Sequence, residues 1–345
     1  MFSFRTTPIE DQLDRALRDG RVSVFATQNC WNIETGRYLY DIFSERGNLE
    51  KVYLPEDGHI DFDLDELRRV DALVVEIQDV GSRYFPYTTD VLRLMSGLVS
   101  LGDESPSLYV VDHFNPAGRD VEGTLPAGET DVWTPKVAQR HGLTLGELVH
   151  LYHTEIAASY PLHIISAHAS ATTRTLLPSM IPPSDDTPGM FSPFVYSGGR
   201  LWEDTTITPG VGTARPYEFI GAPFLKLDPV PAPEGVLMRP CTFIPRFGLY
   251  EGEKCFGYQI ILTPGAQYHS LLHTVRLMRH FADRYSAFEI HEEMFTRLAD
   301  PVMTEYLKGR ITFDIVEEHV KLDEQRWIRK AKKFLLYDDQ PCRIK

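Results

Sequence analysis

The chain has 345 residues, with 35 Lys and Arg against 49 Asp and Glu, a formal net charge of −14, and a composition of 43% hydrophobic and 24% charged residues. That length accommodates two domains, and the composition is that of a globular protein, which excludes a disordered or fibrous chain. The acidic balance speaks against nucleic acid as a partner, since the one basic stretch is the short carboxy-terminal RWIRKAKKF. No apolar run reaches the ~18–20 residues needed to span a bilayer, so no membrane partner is expected.

The amino terminus, MFSFRTTPIEDQLDRALRDG, becomes charged at once and has no apolar signal core, from which a cytoplasmic location is expected. A helix follows Pro8 on the spacing Ile9, Leu13, Ala16 and Leu17 and stops at Gly20, where Arg21–Ala26 turns to a strand pattern. The alternation repeats: helix Thr35–Arg46, strand Leu49–Leu54, helix Asp63–Val70, strand Ala72–Ile77, helix Thr88–Leu101 and strand Leu108–Asp112. A helix over Leu145–Tyr160 opens with Thr144 and Glu147 in capping-box register, and strand Leu162–Ala167 follows. Strands alternating with helices, and near-continuous apolar strands such as ALVV and LYVV, predict an α/β fold. Its core is a Rossmann-like parallel sheet with helices on both faces. Residues Pro178–Gly199 show no period and read as a long loop. Beyond them, strands near Leu237–Ile244 and Tyr258–Leu262, the helix carrying Leu271, Leu272, Val275, Met278 and Phe281, and further helices to Tyr337 predict a smaller α+β unit. The expected division is a catalytic domain over 1–223 and an auxiliary domain over 224–345 that forms the other wall of the active cleft.

Familiar signatures fail. There is no G-x-G-x-x-G after the first strand, no G-x-x-x-x-G-K-[ST], no G-x-S-x-G and no H-E-x-x-H. Cys30, Cys241, Cys255 and Cys342 are scattered and read as free thiols. The histidines lack ligand spacing, with Asp112, His113 and His141 the one conceivable metal set, so neither a metal nor an organic cofactor is expected. The informative segment is Asp71–Tyr87. Glu76 interrupts an apolar strand at its carboxyl end, where ligands sit in open α/β sheets. A buried acid costs several kcal/mol, which proteins tolerate mostly for use; the plain alternative is a carboxylate neutralised by Arg83. A second acid, Glu203, lies in the Gly-rich block LWEDTTITPGVGTARPYEFIGAP, which also reads as a solvated loop. Glu76 and Glu203 form a candidate pair for glycoside hydrolysis, which needs two carboxyl groups about a glycosidic bond.

VEIQDVGSRYFPY, VVDHFNPAGRDVEG, RHGLTLGEL, the LWEDTT block and FIPRFGLYEGEKCFGYQI occur in the order seen in the NamZ exo-β-N-acetylmuramidases, which the chain resembles over nearly its whole length. The resemblance implies release of a terminal N-acetylmuramic acid, or a related amino sugar, from small peptidoglycan fragments, at a cleft between the two domains and without a cofactor. It places Glu76, Gln78, Asp79 and Arg83 in the strand-end motif and Asn115, Glu122 and His141 in the next two. Glu76 is the expected general acid and Glu203 the second carboxyl, with the substrate's N-acetyl oxygen as alternative nucleophile. Gln78, Asp79, Asn115 and Glu122 are expected to bind substrate, and Arg83, His141 and Arg215 to meet the lactyl carboxylate. The chain departs from the family's usual E-G-T-N at Glu203-Asp204-Thr205-Thr206, and from P-E-H-G at Pro55-Glu56-Asp57-Gly58. It departs from D-R-P-N-P at Asp112-His113-Phe114-Asn115-Pro116, and from S-P-N at Ser184-Asp185-Asp186. These departures motivate the alternative of a non-catalytic amino-sugar-binding protein.

Overall fold

The computed structural model describes residues 8–32, 35–128, 136–166, 181–338 and 342–344. Its amino-terminal half is built on β1 (Val22–Ala26), β2 (Leu49–Tyr53), β3 (Ala72–Glu76), β4 (Ser107–Asp112), the short β5 (Asp120–Val121) and β6 (Leu162–Ser166). Five of these form one parallel sheet in the order β2-β1-β3-β4-β6. Period two decides which helices cover which face. Val22, Val24, Ala72 and Val74 pack with Leu13 and Leu17 from α1 (Pro8–Ala16) and its end, and with Leu39, Ile42 and Phe43 of α2 (Leu39–Arg46). On the opposite face Leu73, Val75, Leu108 and Val110 share a core with Leu67 of α3 (Leu64–Leu67), Leu92 and Met95 of α4 (Pro86–Leu101) and Leu148 and Leu151 of α5 (Leu145–Glu155). Each such side chain, withdrawn from water, contributes about 1.5–3 kcal/mol.

Two predicted helices are shorter than their apolar spacing implied. The helix expected from Thr35 starts at Leu39, because the Asp41 carboxylate accepts the Tyr38 N–H at 2.8 Å and fixes the entry there. The one expected to reach Tyr160 ends at Glu155, where Ala157 turns to φ 49°. Ala167, and the Pro178–Met180 start of the long loop, lie outside the described residues.

The second half holds α6 (Ser192–Gly199), β7 (Phe219–Ala222), β8 (Val236–Phe243), β9 (Cys255–Leu262), α7 (Ser270–Ala282), α8 (Glu293–Leu298), α9 (Pro301–Leu307) and α10 (Phe313–Ala331). The three strands form an antiparallel sheet ordered β7-β9-β8. A final β10 (Cys342–Arg343) returns to pair in parallel with β5. The predicted loop over Pro178–Gly199 is corrected at its end by α6. Its glycines admit close packing: a Cβ on Gly198 would lie 2.3 Å from the Ser270 carbonyl oxygen of α7, and one on Gly199 would lie 2.9 Å from Tyr217 Cβ.

Strand pairing crosses the division expected at residue 223. Strand β7 precedes that point, yet it pairs with β9 from Phe219↔Gln259 to Ala222↔Phe256. One buried core runs without a break from Phe25, Val91 and Leu148 to Tyr258, Leu271 and Trp327. Polar contacts stitch the same seam: Trp327 Nε1 donates to His141 O at 2.8 Å, and Arg83 Nη2 donates to Leu298 O at 3.1 Å. A large apolar junction of this kind holds two units as one body. No described helix is long and apolar enough to cross a membrane.

Candidate active site

Three neighbouring strands, β1, β3 and β4, end side by side, and each delivers one polar group. Strand β3 ends on Glu76, whose backbone stands in register with Ala26 of β1. The residue is 6% exposed and shares the α1–α2 face with Val74. From the turn after β1, the Thr27 N–H and the Cys30 thiol both donate to the Glu76 carbonyl, at 3.3 and 3.0 Å. His113, the first residue after β4, places Nε2 3.2 Å from Glu76 Oε1. Burial alone would lower the His113 pKa, but hydrogen bonds to Cys30 and Glu76 outweigh it and push the imidazole up to about 10. The ring therefore carries the proton that faces Glu76. Burial first, and the Glu76 charge second, push the Cys30 thiol above its ordinary value, so it remains protonated.

A cleft of about 530 Å³ opens beside this cluster, within the size range of small-molecule sites. Its described lining is Thr27, Gln28, Tyr38, Tyr40, Leu54, Pro55, Asp57, Gly58, Tyr87 and Pro183–Asp185. Tyr38 and Tyr40 stack with their centroids 4.8 Å apart and their planes within 10°, an aromatic wall suited to the apolar face of a sugar ring. Among the described residues that line this cleft, none comes from 224–345. A larger and more open groove, about 650 Å³, does lie at the junction, between Ala127–Gly128 and Glu292–Thr304. Its one buried acid, Asp300, is occupied in capping α9 and in pairing with His319 at 2.8 Å, and no strand of the parallel sheet ends there.

Most other predicted site residues are internal. Arg83 is 2% exposed and its guanidinium donates to the carbonyls of Thr124, Val137 and Leu298 and to the Tyr84 hydroxyl. His141 is fully buried, with Nε2 3.2 Å from Asp79 Oδ2, while Asp79 also accepts from Thr88 Oγ1 at 2.7 Å. Neither Arg83 nor His141 is among the described residues that line the cleft. Asn115 closes its own turn by accepting from Ala117 N and donating to Leu143 O, and its side chain lies against Gly81, where φ is +77° and a Cβ would sit 2.5 Å from Asn115 Oδ1. Gln78 donates to Asp79 O and Phe114 O, tying the loop after β3 to the loop after β4. Glu122 is fully buried and takes hydrogen bonds from Ser270 Oγ at 2.7 Å and Leu271 N at 3.3 Å, with His269 Nδ1 at 3.1 Å. The contacts of Gln78, Asp79, Arg83, Asn115, Glu122 and His141 hold the loops around the site together. Arg215 is on the surface, its side chain 48% exposed and paired with Glu218 at 3.3 Å.

Glu203 is not among the polar contacts of Glu76. It accepts from the Tyr217 hydroxyl at 2.5 Å and pairs with Arg200. Glu203 is not among the described residues that line the cleft. Burial raises the Asp186 carboxyl above its usual range, with Arg200 opposing and Asp185 reinforcing. Sequence reasoning left Cys30 and the paired tyrosines without a role at the site, and placed His113 only in a conceivable metal set with Asp112 and His141. The signal for His113 was its place in Asp112-His113-Phe114-Asn115-Pro116, directly after an apolar strand.

A buried strand-end glutamate beside an aromatic-walled cleft, on a parallel sheet backed by a smaller antiparallel one, is an architecture suited to glycoside hydrolysis. Two sequence profiles cover most of the chain: that of the exo-beta-N-acetylmuramidase NamZ N-terminal region matches residues 51–188, and that of the C-terminal region matches residues 194–337. The chain belongs to the NamZ family, a family of exo-β-N-acetylmuramidase glycoside hydrolases. The peptidoglycan beta-N-acetylmuramidase NamZ of Bacillus subtilis (strain 168) is 29% identical over 289 residues, 79% of this chain and 68% of that protein. Two crystal structures of DUF1343 family proteins from Bacteroides fragilis NCTC 9343 share the fold. Their TM-scores are 0.76 and 0.77 at 20% identity, covering 96% of this chain and 99% and 97% of theirs.

Proposed function

We propose that the protein releases a terminal N-acetylmuramic acid, or a related amino sugar, from small peptidoglycan fragments, with Glu76 as the catalytic carboxyl. The observation that carries this reading is the placement of Glu76. Among the described residues it is the one acid that ends a central strand of the parallel sheet while sharing a backbone hydrogen bond with a cleft-lining residue, Thr27. His113 Nε2 holds a proton 3.2 Å from Glu76 Oε1, and in this reading Glu76 takes that proton and relays it to the leaving oxygen. The stacked Tyr38 and Tyr40 support the sugar ring. Because Glu203 is engaged by Tyr217 and Arg200, the attacking group in this proposal is the substrate's own N-acetyl oxygen.

The supporting experiment is a panel of nitrophenyl glycosides: N-acetylmuramide, N-acetylglucosaminide and the plain hexoside. Turnover of the acetamido sugars, with the plain hexoside inert, is the expected result. Equal turnover of the plain hexoside would remove the internal nucleophile and return Glu203 to consideration. Binding of every sugar with no release would remove the catalytic reading itself.

A further inference from the structure

We propose that Cys30, Glu76 and His113 form a binding site for one zinc-like divalent ion. The three residues come from separate segments, the turn after β1, the last position of β3 and the first position after β4, yet their ligand atoms all lie within 4.8 Å of one another. Zinc bonds of about 2.0–2.3 Å at tetrahedral angles put neighbouring donor atoms about 3.3–3.6 Å apart. The Nε2–Oε1 separation of 3.2 Å already matches, and the thiol has only a short distance to close.

The donor chemistry is selective. Thiolate, imidazole and carboxylate together suit a borderline-soft ion, whereas magnesium and calcium take oxygen donors. Charge also balances: a thiolate and a carboxylate neutralise a divalent ion in a place that would not tolerate a net charge. The ion takes up the sulfur and nitrogen in their deprotonated forms, so the thiol and imidazolium protons pass to solvent. Three protein ligands leave a fourth position for water, the pattern of an open site. Access comes from the cleft side, since Thr27 and Gln28 line the cleft and the His113 side chain is 22% exposed. A second group, Asp300, His319 and Asp323, has no sulfur, and its members are taken up by the α9 cap, by Leu125 N and by Arg326. A group without sulfur would give no thiolate charge-transfer band.

The functional consequence rests on the reading of Glu76 given above. An ion held by Glu76 removes its proton-delivering oxygen from the reaction, so occupancy and turnover exclude one another. The test uses the full chain stripped with EDTA and titrated with Co²⁺, then Zn²⁺. One equivalent of Co²⁺ is expected to give a thiolate-to-cobalt charge-transfer band, displaced by Zn²⁺, with turnover falling as zinc saturates. In Cys30→Ser the band is expected to vanish and zinc affinity to drop by at least about 10-fold, so that zinc no longer lowers whatever turnover the variant shows in EDTA. Cys30→Ala serves as a second variant for the same loss. Absence of the band in the wild-type chain, or its persistence in both variants, overturns the site. Activity that is lost in EDTA and restored by zinc would instead overturn the metal-free role of Glu76 while leaving the ion site standing.

Discussion

His269 at the start of α7 is held charged by two acids that arrive from different parts of the chain, and removing it is expected to flatten the alkaline loss of stability. Its Nε2 lies 2.8 Å from Glu324 Oε1 of α10, and its Nδ1 lies 3.1 Å from Glu122 Oε2 beside β5. Nδ1 is also 3.3 Å from Leu272 N, but a protonated ring donates to Glu122 and gives up that acceptance. The surrounding charges are Arg140, 3.9 Å from Glu122, and Arg343, 2.7 Å from Glu324; on the same helix, His273 is lowered to about 4, chiefly by burial. Burial opposes the charge on His269, yet the hydrogen bonds to Glu122 and Glu324 raise its pKa from 6.5 to about 9. A raised histidine binds its proton more tightly when folded. The stabilisation is therefore complete below about pH 6.5 and disappears as the pH climbs through about 9. The difference amounts to about 3 kcal/mol. The assay is urea unfolding of wild type and His269→Gln at about pH 6 and about pH 10. The wild-type chain should lose about 3 kcal/mol more than the variant between those conditions. Histidines 113 and 319, both also raised, contribute equally to the two proteins and cancel in the comparison. Parallel pH profiles would refute the charged-hub reasoning.

Two further outcomes follow from charges at and behind the site. Among the described residues, the cleft lining carries the acids Asp57 and Asp185 and no Lys, Arg or His, so a lactyl carboxylate meets repulsion of about 1 kcal/mol there. Asp185→Asn should raise kcat/KM for an N-acetylmuramide about fivefold relative to the uncharged N-acetylglucosaminide. An unchanged ratio would show that the carboxylate is accommodated elsewhere. The Arg119–Glu147 pair is fully buried, and Glu147 also closes the capping box of α5, so Arg119→Met should cost about 3–5 kcal/mol by leaving a buried carboxylate without its counter-charge. A loss below about 1 kcal/mol in denaturant melts would mean that the site rehydrates.

The parallel sheet was legible because its strands are buried on both faces and so read as unbroken apolar runs, ALVV in β3 and LYVV in β4. Helix α6 was not, since SPFVYSGG contains Pro and two Gly; those glycines are there to let α7 and Tyr217 approach, a tertiary requirement invisible in local spacing. Strand β7 is four residues long and has its pairing partner near residue 257, so nothing local marks it. The same separation hid the cluster at Glu76. Cys30 lies 46 residues before it and His113 lies 37 after, and only the strand order β1-β3-β4 brings them together. In the opposite direction, Arg83, Glu122 and His141 drew attention as polar residues within distinctive motifs. Their burial shows that such motifs record loop architecture as much as ligand contact.

Glu76→Gln tests the assignment of the catalytic carboxyl most directly. The amide keeps the shape and one hydrogen bond toward His113 but cannot deliver a proton. On a natural disaccharide kcat should therefore fall by about 10²–10⁴ with the fold retained, and the loss should shrink for a nitrophenyl glycoside, whose leaving group departs without protonation. A stably folded Glu76→Gln protein that turns over the disaccharide at close to the wild-type rate would contradict the account.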